Sequence, residues 1–183
     1  VKDINSVRVS GSIFWSKIDE YSNYSVLRLG IKLTNGSSVF ATINNPKIKD
    51  YESTKQGNKV ILTNAWFDTW EKDDGSCDLQ IKAYDNGLAL FQPEKVIANV
   101  NEVTILGKVI QQTADEVMIE MVGERNPKTN KWSIRKARVD IGNGFDNLIG
   151  QKILLNGTIS STIGEDKKSI LIIDAISENI NIL

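Results

Sequence analysis

The chain has 183 residues, 40% hydrophobic and 25% charged, an ordinary balance for a folded protein of one large domain or two small ones. Its net charge of −1 supplies no global basic field, so any nucleic-acid partner has to be held by local clusters of charge. With no histidine and a single cysteine, Cys77, the sequence excludes Ser-His and Cys-His catalysis, His-containing zinc sites and an intramolecular disulfide.

Period-2 alternation of apolar residues predicts five strands in the first half, over 7–14, 25–33, 39–43, 59–67 and 78–84. In the second of these Leu27, Leu29, Ile31 and Leu33 share one face, and Arg28, Gly30 and Lys32 share the other. Between the third and fourth lies the one helical candidate, "NNPKIKDYESTKQG", with Pro46 near a first turn and Gly57 as a C-terminal stop. The connection "QPEKVIANV" is short and carries apolar Val96, Ile97 and Val100, so its two sides are expected to be close neighbours. Five more strands follow, over 103–110, 116–123, 134–141, 152–160 and 169–175. No run approaches the roughly 18 apolar residues of a membrane span and no signal-peptide pattern is visible, so an intracellular protein without a membrane partner is expected.

The halves repeat. "NSVRVSG" from Asn5 matches "NEVTILG" from Asn101, "GNKVILTNAW" from Gly57 matches "GQKILLNGTI" from Gly150, and "DLQIKAYD" from Asp78 matches "SILIIDAI" from Ser169. The spacing between partners drifts from 96 to 93 to 91 residues by subtraction, as expected of two diverged domains with different loops. Five strands with a short helix between the third and fourth is the element order of the OB fold. The expected fold is therefore all-β: two tandem five-stranded OB-fold barrels, residues 1–95 and 96–183, with a short helix between strands 3 and 4 at least in the first.

"NSVRVSG", ending in Gly, and "ESTKQGNKVILTNAWFDTWEKDDG", with a helix end, a Gly, a strand, a Trp and a polar turn, resemble the OB-fold single-stranded DNA-binding protein family of bacteria and their phages. The resemblance covers most of 5–85 and extends more weakly to the second half. It implies an OB fold, single-stranded DNA as ligand, and a base-stacking role for Trp70. There are two departures. The family usually carries one such domain per chain, and it tends to end in an acidic tail with an apolar tip that recruits partners, whereas the residues here end "AISENINIL".

Holding a single strand takes clustered cations for the phosphates and exposed aromatics for the unpaired bases. "RNPKTNKWSIRKAR" offers both: Arg125, Lys128, Lys131, Arg135, Lys136 and Arg138 surround Trp132 without an acid among them. In the first half the third strand leaves Phe40 off the core parity, at the slot that Arg138 takes in the second. Trp15 falls opposite Gln111, which makes it an outward candidate, and Arg28 and Lys32 can reach phosphates. Within "AWFDTW", alternation from Val60 and Leu62 turns Trp66 and Trp70 inward and Phe67 outward. Aligning the sister segment "TISSTI" gives the same assignment, while the family resemblance turns Trp70 outward. Phe67 and Trp70 both count as candidates. The acidic turn "EKDDGSCD" lacks the spacing of a calcium loop and reads as a hairpin tip.

No catalytic constellation, metal site or cofactor motif is found. The expected function is non-enzymatic binding of single-stranded DNA with little sequence preference, in replication, recombination or DNA transfer, with replication or recombination proteins as further partners. The Ile-, Asn- and Lys-rich usage points to an AT-rich phage or mobile element. RNA binding and an OB-fold scaffold that binds protein, of the replication or telomere type, are the alternatives. The sequence leaves the oligomeric state open.

Overall fold

The computed structural model describes residues 3–48, 51–71, 77–163, 169–175 and 177–183, and only the backbone course of 51, 69–71, 77–79, 169–170 and 177. The acidic turn at 72–76 lies outside the described residues. The protein is all-β. Its twelve strands are β1 (Ile4–Glu20), β2 (Ser25–Leu33), β3 (Ser38–Asn44), β4 (Lys59–Glu71), β5 (Cys77–Ala83), β6 (Leu88–Phe91), β7 (Asn101–Gln112), β8 (Glu116–Arg125), β9 (Trp132–Asp140), β10 (Lys152–Ile163), β11 (Ser169–Asp174) and β12 (Ile180–Ile182). Among the described residues no helix is long and apolar enough to cross a membrane.

Hydrogen-bonded pairing closes a circuit in each half. In the first, β1 pairs β2, β2 pairs β3, β3 runs parallel to β5, and β5 and β1 both pair β4. In the second, β7, β8, β9, β11 and β10 repeat every one of these pairings, including the single parallel one. A sixth short strand adds to each circuit, β6 on β4 and β12 on β10, each after a 3-10 turn. Neither was predicted. Inward residues such as Leu27, Leu29, Ile31, Ile43, Ile105, Ile119 and Ile173 are fully buried, and the core they build is continuous across both circuits. The first strand of each circuit pairs three neighbours. Gly11 and Gly107 allow the close approach this requires, since a Cβ there would collide with the backbone oxygens of Lys32 and Glu120.

The circuits meet through an antiparallel β1–β7 ladder in which Asn5 faces Ile105, Val7 faces Val103 and Val9 faces Asn101. Asn5 and Asn101 open the repeated "NSVRVSG" and "NEVTILG", so Val7 faces its own counterpart. The ladder therefore has a local two-fold axis and covers what would otherwise be an open edge of β1. The same symmetry holds in the side chains. Asn5 Nδ2 donates to the Phe67 carbonyl oxygen (2.8 Å) and Asn5 Oδ1 accepts from the Phe67 N–H (2.8 Å). Asn101 does the same with Ile159, at 2.9 and 2.8 Å.

That clamp corrects two expectations. Phe67, expected outward, is 0% exposed, and Trp66, expected in the core, is half-buried on the outer side. Val9 faces Leu62 but Val7 faces Ala65, so β4 holds one residue more than β1 between these pairs. The bulge uses the left-handed conformation of Asn64 (φ 50°), which asparagine tolerates better than most residues. Every side chain beyond it changes face. The structural counterpart of Ile159 is thus Phe67, not Trp66.

The expected helix is also corrected. The segment contains one 3-10 turn, Tyr51–Thr54, ended by Gly57 at φ 92°. Residues 49–50 lie outside the described ones. The stretch has no apolar stripe at helical spacing. Ile48 and Thr54 turn toward the core, and the Lys55 N–H donates back three residues to the Glu52 carbonyl oxygen (3.2 Å).

A candidate nucleic-acid interface

The outer face of β1, β2 and β3 carries a row of register partners, Trp15, Gly30 and Phe40. A bulge makes the row aromatic. Ile13 pairs Ile31 while Trp15 pairs Gly30, so Phe14 is the extra residue and lands on the same face. Its ring lies over Gly30, where any Cβ would come within 2.6 Å of it. Glycine at position 30 is what lets three rings gather. Phe14 meets Phe40 edge-on (5.7 Å, 76°), and so does Trp15 (6.1 Å, 72°). Despite these contacts Phe40 is 54% and Trp15 41% exposed. Apolar rings left this open are not filling a core.

Cations flank the row. On one side Lys17, Arg28 and Thr42 are partners, and on the other Ser12, Lys32 and Ser38. Asp19 pairs with Lys17 (2.7 Å) and Arg28 (3.4 Å). The hydrogen bond from Lys17, together with the charges of Lys17 and Arg28, holds the Asp19 carboxyl below its ordinary pKa, against an opposing desolvation effect. Lys32 Nζ donates to Ser38 Oγ (3.3 Å). In the turn after β1, Tyr21 and Tyr24 stack on one another (4.5 Å).

The equivalent row in the second circuit is Gln111, Met118 and Arg138, reached through the same bulge, here with Ile110 as the extra residue. The sequence pairing of Trp15 with Gln111 and of Phe40 with Arg138 agrees with these registers. Arg138 lies 3.7 Å from Glu116. Lys136 faces Glu120 in the next row. The basic cluster continues into the β8–β9 hairpin. There Asn126 Oδ1 accepts the N–H groups of Lys128 (2.9 Å) and Thr129 (3.2 Å), and Asn130 takes a positive φ. Lys128 and Lys131 are exposed on the turn. Trp132 is 58% exposed with the Arg125 guanidinium 5.9 Å from its ring centre, a cation–π contact.

Arg135 is committed elsewhere. It crosses from β9 to β4 of the first circuit, pairs with Asp68 (3.2 Å) and sits 5.8 Å over the Trp66 ring. Asp68 also pairs with Lys82. The structure thus gathers Trp15, Arg28, Lys32 and Phe40 on one face and Arg125, Lys128, Lys131 and Trp132 on one hairpin. It removes Phe67 to the core. The side chain of Trp70 lies outside the described residues. Sequence reasoning did not select Phe14 or Trp66. The signals that could have found them are Gly30, as the floor for a ring, and Asn64, as a residue suited to a bulge. Among the described residues no group of acidic or cysteine side chains is gathered as a metal site requires.

No family model matches the chain, and no curated protein does either.

Proposed function

We propose that this chain is a non-enzymatic, tandem OB-fold protein, with domains 1–95 and 96–183, that binds single-stranded DNA with little sequence preference. Such a protein would serve wherever single strands are exposed, in replication, recombination or DNA transfer. The observation that carries the reading is the exposed row of Phe14, Trp15 and Phe40 between Lys17 and Arg28 on one side and Lys32 on the other. The order and sense of pairing in each circuit support the OB assignment, and β2 and β3 of that fold are a common oligonucleotide surface.

Unpaired bases stack on Trp15 and Phe40, and because every base has a π-face this contact reads no sequence. Lys17, Arg28 and Lys32 lie where the phosphates of a strand stacked on that row would pass. The hairpin cations Arg125, Lys128 and Lys131 add charge from the second domain. In a duplex the bases are already stacked and present only their edges, which a flat aromatic row cannot use. Gel shifts with single- and double-stranded probes of one sequence, with matched RNA as competitor, test the proposal. Retardation of the single strand alone, with DNA outcompeting RNA, is expected. Equal retardation of the duplex, or none of either, would sink it, and RNA outcompeting DNA would transfer the site to RNA.

A further inference from the structure

The proposed strand has a continuation. Registers place Arg28 beside Thr42, Thr42 beside Lys82 and Lys82 beside Trp66, so one row crosses the outside of β2, β3, β5 and β4 without a break. Three strand spacings, about 14 Å in all, separate Arg28 from Trp66. At the far end Trp66 and Tyr84 form a second ring pair with centroids 4.6 Å apart. Tyr84 is 55% exposed. The indole N–H of Trp66 is turned inward and has no hydrogen-bond partner among the described residues. The Arg135 guanidinium of the second circuit lies 5.8 Å from the Trp66 ring centre. The path therefore runs between two aromatic stations and reaches the junction of the circuits. Along it Lys17, Arg28, Lys82 and Arg135 outnumber the carboxylates of Asp19 and Asp68 that pair with them.

We propose that Trp66 and Tyr84 are a second stacking subsite for single-stranded DNA, which leaves the Trp15–Phe40 row, follows Arg28 and Lys82 around the first circuit, and meets Arg135 at the junction. The inference rests on the function proposed above and adds a direction and a length to it. A strand long enough to touch both stations binds both, and a short one binds only the first. The phosphates near Trp66 compete with Asp68 for Lys82 and Arg135.

Fluorescence polarisation with labelled oligothymidines of about 3 and about 20 nucleotides, the shorter spanning only about 7 Å at stacked spacing and so unable to reach both stations, tests this in the full chain. Tyr84→Ala is expected to weaken the long oligomer about 5- to 100-fold, the worth of one stacked base, and to leave the short one unchanged. Tyr84→Phe, which keeps the ring, is expected to bind both like the parent. Phe40→Ala is expected to weaken both lengths. If Tyr84→Ala leaves the long oligomer unchanged while Phe40→Ala weakens it, the second subsite is wrong and the parent reading stands. An equal loss at both lengths in Tyr84→Ala also overturns the ordered path. A parent protein that binds neither length overturns the proposed function itself, and this inference with it.

Discussion

Removing Asn5 should test how the circuits are held together. Its side chain makes two hydrogen bonds of 2.8 Å, one to each backbone group of Phe67, at the point where β1 leaves β4 for β7. In Asn5→Ala both Phe67 groups lose their partner on a strand whose side chain is fully buried. An orphaned backbone group costs about 1–3 kcal/mol when water cannot replace the partner, and this site is only partly buried, so a loss of about 2–4 kcal/mol is expected. With a urea m-value of about 2 kcal/mol/M, the unfolding midpoint should fall by about 1–2 M at unchanged slope. Asn101→Ala should cost less, because the Ile159 carbonyl oxygen also accepts from Asn35 Nδ2 (2.9 Å) and only the Ile159 N–H is left without its partner. The two asparagines stand four residues apart along the ladder, roughly 13 Å, so their effects should add in the double variant. Asn5→Asp carries its own signature. Its carboxylate still accepts the Phe67 N–H but faces the carbonyl oxygen, so its folded pKa is raised, and stability lost at neutral pH should return as the pH falls through that value. A midpoint shift of less than about 0.2 M in Asn5→Ala would show that the clamp does not hold the junction.

Other expectations concern the site. Phe67→Leu should leave single-strand affinity unchanged while lowering the unfolding midpoint, because the ring fills the core; a lost stacking contact without loss of stability would restore Phe67 to the surface. Asp19→Asn should tighten single-strand binding and steepen its salt dependence by freeing Lys17 and Arg28 for phosphates, and an unchanged salt slope would argue that neither touches one. The folded pKa of Asp19 lies below its unfolded value, so its contribution to stability is present above pH 3.8 and disappears as pH falls through the lowered value. Parent and Asp19→Asn melting curves should therefore differ near neutrality and converge in acid.

The repeat, its order and the ten longer strands were legible because buried faces impose a period of two over six or more residues. β2 is predicted to the residue, and the equivalence of Phe40 with Arg138 needs only that period and the repeat. β6 and β12 escaped because four and three residues are too short to display alternation. Phe67 was assigned to the wrong face because a single inserted residue is invisible to alternation yet reverses it. The alignment with "TISSTI" repeated the error, since β10 has no bulge at that point. Arg135 shows another boundary. Its sequence neighbours are basic, and its partner Asp68 becomes visible only when β4 and β9 are brought together. The cations legible as one cluster are divided by the fold between a hairpin, an outer sheet face and a bridge across the junction.

The central claim is that Trp15 and Phe40 stack unpaired bases. Intrinsic tryptophan fluorescence, titrated with a long oligothymidine at low salt, tests it most directly. Saturable quenching is expected, with an affinity that falls steeply with added salt and is weakened about 5- to 100-fold by Phe40→Ala, and with part of the quenching amplitude lost in Trp15→Ala. No quenching in the parent protein, or quenching untouched by both substitutions, would contradict it.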